Sequence, residues 1–172
     1  MLTISPEHIE EICNHAKQIY PEECCGLLIG TIAGEKKFVT EVLQTENNWE
    51  ADSATFGEII GSKRNRFSID PRVLLRTQKD ARERHLNIIG IYHSHPDSTA
   101  IPSEYDRRIA WSGYSYVIIA VREGDVVEVC SWSLDEQQHF QPEALKLRHI
   151  FKSNATFQAQ HGTQNKLITD NS

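Results

Sequence analysis

The chain has 172 residues, of which 39% are apolar and 24% charged, and its net charge is −6. This length and balance predict one globular domain rather than a disordered chain. The acidic balance argues against nucleic acid or an anionic membrane as the main partner. No apolar stretch approaches the ~20 residues of a membrane span. The first residues, MLTISPEHIEE, lack the apolar core of a secretory signal, so we expect a cytoplasmic protein.

The first part of the chain predicts a helix followed by a β-hairpin. Ser5 and Pro6 are the residue types of a helix start, and apolar side chains then recur at helical spacing to about Tyr20. Residues 24–33 are mainly apolar, and residues 36–44 follow a Gly-Glu pair with partial alternation. These two segments predict the strands of a hairpin.

The middle of the chain predicts a loop, a second helix and a buried strand. Residues 44–66 are polar and show no sustained period, which is typical of a functional or mobile loop. Asp70, followed by proline, starts a second helix that extends to about His85. Residues 87–93 are apolar on both faces, as in a central strand of a sheet.

A hairpin and a polar tail end the chain after a short helix. Residues 115–121 and 126–134 predict two strands joined by a turn. The apolar content falls from residue 141 onward, and residues 158–172 predict a disordered tail without a packed role. The order of the elements predicts a single-domain α/β fold in which helices flank a mixed sheet.

The four cysteines are Cys13, Cys24, Cys25 and Cys130, and they include no C-x-x-C pair. We expect them to be reduced in a cytoplasmic protein. The adjacent Cys24 and Cys25 are predicted to be small buried thiols in a strand. A strained disulfide between them is the alternative.

The strongest functional pattern is HSHPDSTAIPSEYD at residues 93–106. Positions i and i+2 of a strand point to the same side, so His93 and His95 can converge on one metal ion. Zn²⁺ accepts nitrogen ligands, and Asp106 is a candidate third ligand because the intervening loop is long enough to fold back. Ser103 and Asp106 also match a helix capping box, which would explain both by local structure alone.

A hydrolytic metal site also needs a general base to take the proton of a water molecule, and none is assigned within that stretch. Glu22 and Glu23 precede the first predicted hairpin, but a carboxylate before a strand is commonly a solvated surface charge. The spacing does not choose between the two glutamates, and it does not place either one near the histidines.

Together these motifs resemble the signature of the MPN-plus, or JAMM, family of zinc metallopeptidases. The signature is His-x-His-Pro, six residues, Ser, two residues and Asp, with a Glu-x-x-Gly motif upstream, and every position is filled here. The resemblance covers roughly residues 1–135. It implies a compact, prokaryotic-type JAMM domain at residues 1–140, with a cytidine-deaminase-like sandwich fold, and a C-terminal extension at residues 141–172.

The resemblance also implies roles for individual residues. His93, His95 and Asp106 would bind one Zn²⁺ per chain, with a water molecule as the fourth ligand. The upstream motif selects Glu23 as the general base that hydrogen-bonds this water, and Ser103 would donate to the developing oxyanion. Such a site combines metal activation of water, proton transfer and oxyanion stabilisation.

The implied activity is zinc-dependent hydrolysis of a peptide or isopeptide bond at the C-terminal tail of a ubiquitin-like or sulfur-carrier protein. The long insertions with which the resembling eukaryotic deubiquitinases hold ubiquitin are missing from this sequence. A non-catalytic MPN scaffold is the main alternative. A thiol hydrolase that uses Cys24 or Cys25 with a histidine is a second alternative. The sequence leaves open whether the chain forms a homodimer.

Overall fold

The computed structural model describes residues 1–52 and 61–148. Within these ranges the chain forms one eight-stranded sheet with helices packed against it. The strands are β1 (Leu2–Ile4), β2 (Cys25–Ala33), β3 (Lys36–Thr45), β4 (Asn87–Pro96), β5 (Ser115–Arg122), β6 (Asp125–Leu134), β7 (Phe140–Glu143) and β8 (Leu145–Leu147). The helices are α1 (Pro6–Ile19), α2 (Trp49–Asp52), α3 (Pro71–Glu83) and α4 (Glu104–Ile109).

Strand β4 lies in the middle of the sheet, whose order is β7-β6-β5-β4-β2-β3-β1-β8. It pairs antiparallel with β2 and parallel with β5. The pairs β2–β3, β5–β6 and β6–β7 are antiparallel, whereas β1 runs parallel to both β3 and β8. The predicted α/β class with a mixed sheet is therefore confirmed, and residues 87–93 do form a central strand.

Helices α1 and α3 cover opposite faces of the sheet. Ile12 and Ala16 of α1 pack in one apolar cluster with Leu28 of β2. Leu27 packs in a second cluster with side chains of α3 that include Val73. Because successive strand residues point to opposite faces, the two clusters lie on either side of β2. This arrangement is the predicted sandwich of helices around a sheet.

Both long helices begin where the sequence predicts. The Ser5 hydroxyl accepts a hydrogen bond from a backbone N–H of the first turn of α1, at 3.1 Å. The Asp70 carboxylate caps α3 in the same way, at 2.8 Å. The predicted ends near Tyr20 and His85 are confirmed to within two residues. Among the described residues, no helix combines the length and the apolar character needed to cross a membrane.

The structure corrects the predicted loop at residues 44–66. Strand β3 extends to Thr45, and α2 forms a single helical turn inside the segment. The end of β3 lies one residue beyond the predicted strand, whereas α2 was missed because four residues carry no readable period. Residues 53–60 of the predicted loop lie outside the described residues.

The sheet also contains short strands near both ends of the described chain. Strand β1 was not predicted, and it is held by pairing with β3 and β8 rather than by its own sequence pattern. Strand β7 begins at residue 140, the predicted end of the domain, and β8 follows it, so the predicted extension begins within the sheet. The boundary itself stays a prediction, and residues 158–172 lie outside the described residues.

All four cysteines are free thiols. Cys24 and Cys25 are both buried, as predicted, although only Cys25 lies in β2 and Cys24 immediately precedes it. The alternative of a disulfide between them is wrong. Burial raises the pKa of each thiol to about 12. Neither is therefore a thiolate near neutral pH, which disfavours the hypothesis of a thiol hydrolase.

Candidate metal centre

His93 and His95 lie at the carboxyl end of β4. Both side chains are buried, and their Nε2 atoms are 3.0 Å apart. The i, i+2 spacing brings the two rings to one side of the strand, as the sequence predicts. Ser94, between them, points the other way, where its Oγ accepts a hydrogen bond from the backbone N–H of Cys24 at 2.8 Å. That bond ties the end of β4 to the start of β2.

Asp106 reaches the same point from the first turn of α4. Its backbone N–H donates to Ser103 Oγ at 3.2 Å, and Ser103 N–H donates to Asp106 Oδ2 at 2.6 Å. This is the predicted capping box. The same carboxylate faces the histidines, with Oδ1 3.3 Å from His93 Nε2 and Oδ2 3.4 Å from His95 Nε2. The cap and the candidate ligand are therefore one structure rather than alternatives.

The three side chains have the geometry of a metal site. The candidate ligand atoms of His93, His95 and Asp106 all lie within 4.8 Å of one another. Ligands bound at 2.0–2.1 Å to a tetrahedral ion would be separated by about 3.3 Å, close to the distances found here. Two imidazoles and a carboxylate, all buried, are also a donor set that Zn²⁺ accepts. The group could therefore bind a metal ion.

The electrostatics of the group keep the carboxylate ionised. Burial would raise the pKa of Asp106, but the two histidines outweigh it and hold that pKa well below its usual range. Burial lowers the pKa of His93, which favours the neutral ring. For His95, burial also acts downward, but the hydrogen bond and charge of Asp106 leave its pKa raised. An ionised carboxylate beside imidazoles suits a cation in their midst.

The two rings differ in what holds them. His95 Nδ1 lies 2.8 Å from the carbonyl oxygen of Thr99, which can accept a hydrogen bond from the Nδ1–H group. This bond would leave Nε2 unprotonated and available to a metal. His93 Nδ1 has no hydrogen-bond partner among the described residues, and the ring of Phe67 stacks on the His93 ring instead.

Glu23 lies just before β2, where Cys25 pairs with His93. It is buried, whereas Glu22 is exposed. Burial raises the pKa of Glu23 to about 8, with the charge of His95 acting downward and that of Asp106 upward. The structure thus brings the motif glutamate close to the histidines and leaves its neighbour at the surface.

The structure also reveals a positioning side chain that the sequence did not single out. Asn47 Nδ2 donates to the carbonyl oxygens of Glu23 and Arg66, at 3.1 and 2.9 Å. Asn47 Oδ1 accepts from the backbone N–H groups of Trp49 and Ser68, at 3.0 and 3.2 Å. One amide therefore connects the backbone of the candidate base to the segment that carries Phe67. The only sequence signal was an Asn-Asn pair in a polar stretch.

A groove of about 430 Å³ opens beside Glu23. Its walls come from the end of α1, including His15, and from the end of β3 and the residues after it, including Glu46 and Asn48. Its volume falls in the range of about 300–1,000 Å³ that is usual for ligand sites. The groove therefore has the volume of a ligand site and adjoins the candidate centre through Glu23.

Comparison with protein families matches residues 5–158 to the family of prokaryotic homologues of the JAB domain. The chain belongs to this family, which confirms the expected MPN/JAMM membership and fold. More particularly, it is similar to the desampylase of Haloferax volcanii, with 27% identity over 122 residues, which span 68% of this chain and 78% of that protein.

Solved structures are similar to this chain in fold. The chain is similar to a protein of Desulfitobacterium hafniense, with a TM-score of 0.71, 29% identity and coverage of 92% of this chain and 100% of that one. A protein of Salinibacter ruber gives a TM-score of 0.61, 27% identity and coverage of 93% and 98%. A JAB1/MPN domain protein of Archaeoglobus fulgidus, at 17% identity and a TM-score of 0.52, covers 87% and 98% and shares the fold.

Proposed function

We propose that this chain is a zinc metallopeptidase or isopeptidase. The observation that carries the proposal is the buried convergence of His93, His95 and Asp106, with Glu23 close by. Membership of the JAB family supports a hydrolase, and the relative named desampylase supports action on a ubiquitin-like modifier. The four free thiols suit a reducing compartment, and we place the activity in the cytoplasm.

In this mechanism His93, His95 and Asp106 would hold one Zn²⁺, and the ion would supply the Lewis acidity that lowers the pKa of a water molecule toward ~7. Glu23 takes the proton of the attacking water and later gives it to the leaving amine. Its raised pKa, about 8, suits a group that must both accept and release a proton near neutral pH.

Ser103 is the proposed donor to the oxyanion that develops on the scissile carbonyl. Its Oγ accepts the N–H of Asp106, so the hydroxyl proton remains available for donation. The capping interaction also fixes the position of Oγ before substrate arrives, which is the preorganisation that oxyanion stabilisation requires.

We expect Ser103→Ala to lower kcat by about 10²-fold, because removal of one oxyanion donor has effects of that order. It should also lower stability by about 1 kcal/mol through the lost helix cap. The measurements are steady-state cleavage, zinc content and thermal unfolding. Ser103→Thr, which keeps the hydroxyl, is the matched control and should retain most of the activity. A Ser103→Ala variant that binds zinc and cleaves within twofold of the parent would remove this residue from the mechanism.

The proposed substrate is a ubiquitin-fold or sulfur-carrier protein whose C-terminal tail enters the site. A flexible tail can reach a buried metal centre that a folded surface cannot. The groove beside Glu23 would take the leaving side of the bond, because the proton that Glu23 delivers goes to the leaving amine.

The direct test is cleavage of two substrates made from ubiquitin-fold proteins of the same genome. One carries a C-terminal peptide extension, and the other is joined to a lysine side chain of a second protein. We expect mass spectrometry to show a cut directly after the tail of at least one substrate, which a chelator abolishes and zinc restores. Intact substrates and no zinc retained after loading would favour the non-catalytic scaffold.

A further inference from the structure

The two candidate histidine ligands are oriented by different means. His95 has a carbonyl acceptor for its Nδ1, in Thr99 at 2.8 Å. His93 is fully buried, yet its Nδ1 has no hydrogen-bond partner in the described part of the chain. A metal-binding histidine ordinarily donates its second ring N–H to a carboxylate, a carbonyl or water. Among the described residues, the ring plane of His93 is therefore oriented by packing rather than by a hydrogen bond to Nδ1.

The ring of Phe67 provides that packing contact. The centroids of the Phe67 and His93 rings are 4.5 Å apart, and the ring planes differ by 25°. Phe67 is itself buried, so the stack also shields one face of the imidazole from water. In this orientation His93 Nε2 faces Asp106 Oδ1 at 3.3 Å, on the side where a metal would bind.

The backbone around Phe67 is fixed from two directions. The hydroxyl of Tyr105, which adjoins the third candidate ligand in the sequence, donates to the carbonyl oxygen of Phe67 at 2.8 Å. The Asn47 amide bonds to the residues before and after Phe67, namely Arg66 and Ser68. The stacked ring is therefore held against His93 by bonds that do not involve the histidine itself.

We propose that Phe67 is a positioning residue of the metal centre, whose stacked ring orients His93 toward the ion as the Thr99 carbonyl orients His95. This inference rests on the zinc site proposed above. Without the ring, His93 can rotate about its side-chain torsions and its Nε2 spends less time in place. Loss of a partner that orients a metal ligand lowers metal affinity by about 10–100-fold, and we expect a loss of about tenfold here.

The test is the zinc affinity of the full chain, measured by competition with a chromophoric chelator and without substrate. Phe67→Leu removes the aromatic ring and should weaken zinc binding about tenfold, whereas Phe67→Tyr keeps the ring and should remain within about twofold of the parent. Ile69→Ala is the matched control, because it removes a buried apolar side chain from the same cluster but no ring stacked on His93. It should lower stability without lowering zinc affinity. The visible spectrum of the cobalt-substituted proteins should change for Phe67→Leu alone.

The proposal would be overturned if Phe67→Leu had the same zinc affinity and cobalt spectrum as the parent. It would also be overturned if Ile69→Ala lost as much zinc affinity as Phe67→Leu. If Phe67→Leu does not fold, Phe67→Met replaces it, since methionine fills irregular space without a ring. Cleavage is assayed separately. If the parent binds zinc but cuts neither substrate, the proposed peptidase function is contradicted. If the parent binds zinc and the Phe67→Leu variant binds it with the same affinity, only the inference about Phe67 is contradicted.

Discussion

Replacement of Glu23 by Gln should lower kcat by about 10²–10⁴-fold, the usual contribution of a general base, while zinc content stays at one per chain. The amide of Gln fills the same space but cannot accept and return a proton. The zinc content should stay because Glu23 lies outside the group of three candidate ligands. The measurements are cleavage of the tail substrate and metal analysis of the same sample.

Glu22→Gln is the matched control: Glu22 is the exposed neighbour in the wall of the groove, so its substitution should leave kcat close to the parent value and affect KM alone. A Glu23→Gln variant as active as the parent would show that another group moves the proton.

The free energy of unfolding provides a second readout, in the metal-free protein. Burial raises the pKa of Glu23 to about 8, so the folded state binds more protons than the unfolded state between pH ~4.5 and ~8. This group therefore lowers stability as pH rises through that window, and Glu23→Gln should remove that decline.

Replacement of Asp106 by Asn should abolish measurable cleavage and weaken zinc binding by more than about 100-fold. Loss of a residue that only orients a metal ligand costs up to about 100-fold, and Asp106 is proposed as a ligand itself. Asn offers a neutral oxygen instead of a carboxylate whose pKa is held well below its usual range by two histidines. The Asn oxygen can still accept the Ser103 N–H, so the cap of α4 should remain. Zinc titration and cleavage are the two measurements.

Glu104→Gln is the control for this substitution. It changes an acidic side chain in the first turn of the same helix, but Glu104 is exposed and pairs with Arg107 instead of the histidines. Zinc affinity and activity should therefore be unchanged in Glu104→Gln. Zinc bound as tightly by Asp106→Asn as by the parent would exclude Asp106 from the ligand set.

The sequence predicted the local parts of the site and left the long-range parts undetermined. His93 and His95 are related by strand geometry, and Ser103 and Asp106 by a helix cap, so spacing alone indicates each pair. Glu23 is seventy positions before His93, and no periodicity connects them. Only the family resemblance separated it from Glu22, and the structure supplies the physical difference, which is burial.

In the fold, too, the sequence predicted the elements with a local pattern and missed those that depend on long-range contacts. Helices and strands of eight or more residues were predicted because a period can be read over that length. Strand β1 and helix α2 are too short for this, and tertiary contacts determine them. Phe67 and Asn47 were missed for a related reason: the contacts of Phe67 with His93 and of Asn47 with Glu23 join segments about 25 residues apart.

The capping box of α4 has a kinetic consequence. Asp106 is both the residue whose N–H closes the first turn and the residue whose carboxylate faces the histidines. A helix of six residues frays easily, because few hydrogen bonds must break to open its end. With the proposed zinc bound, opening that turn would also withdraw a ligand, so the residence time of the ion would depend on how often α4 opens. Binding of the ion would in turn favour the closed helix, and we expect the amide hydrogens of this turn to exchange more slowly in a zinc-loaded chain than in a metal-free one.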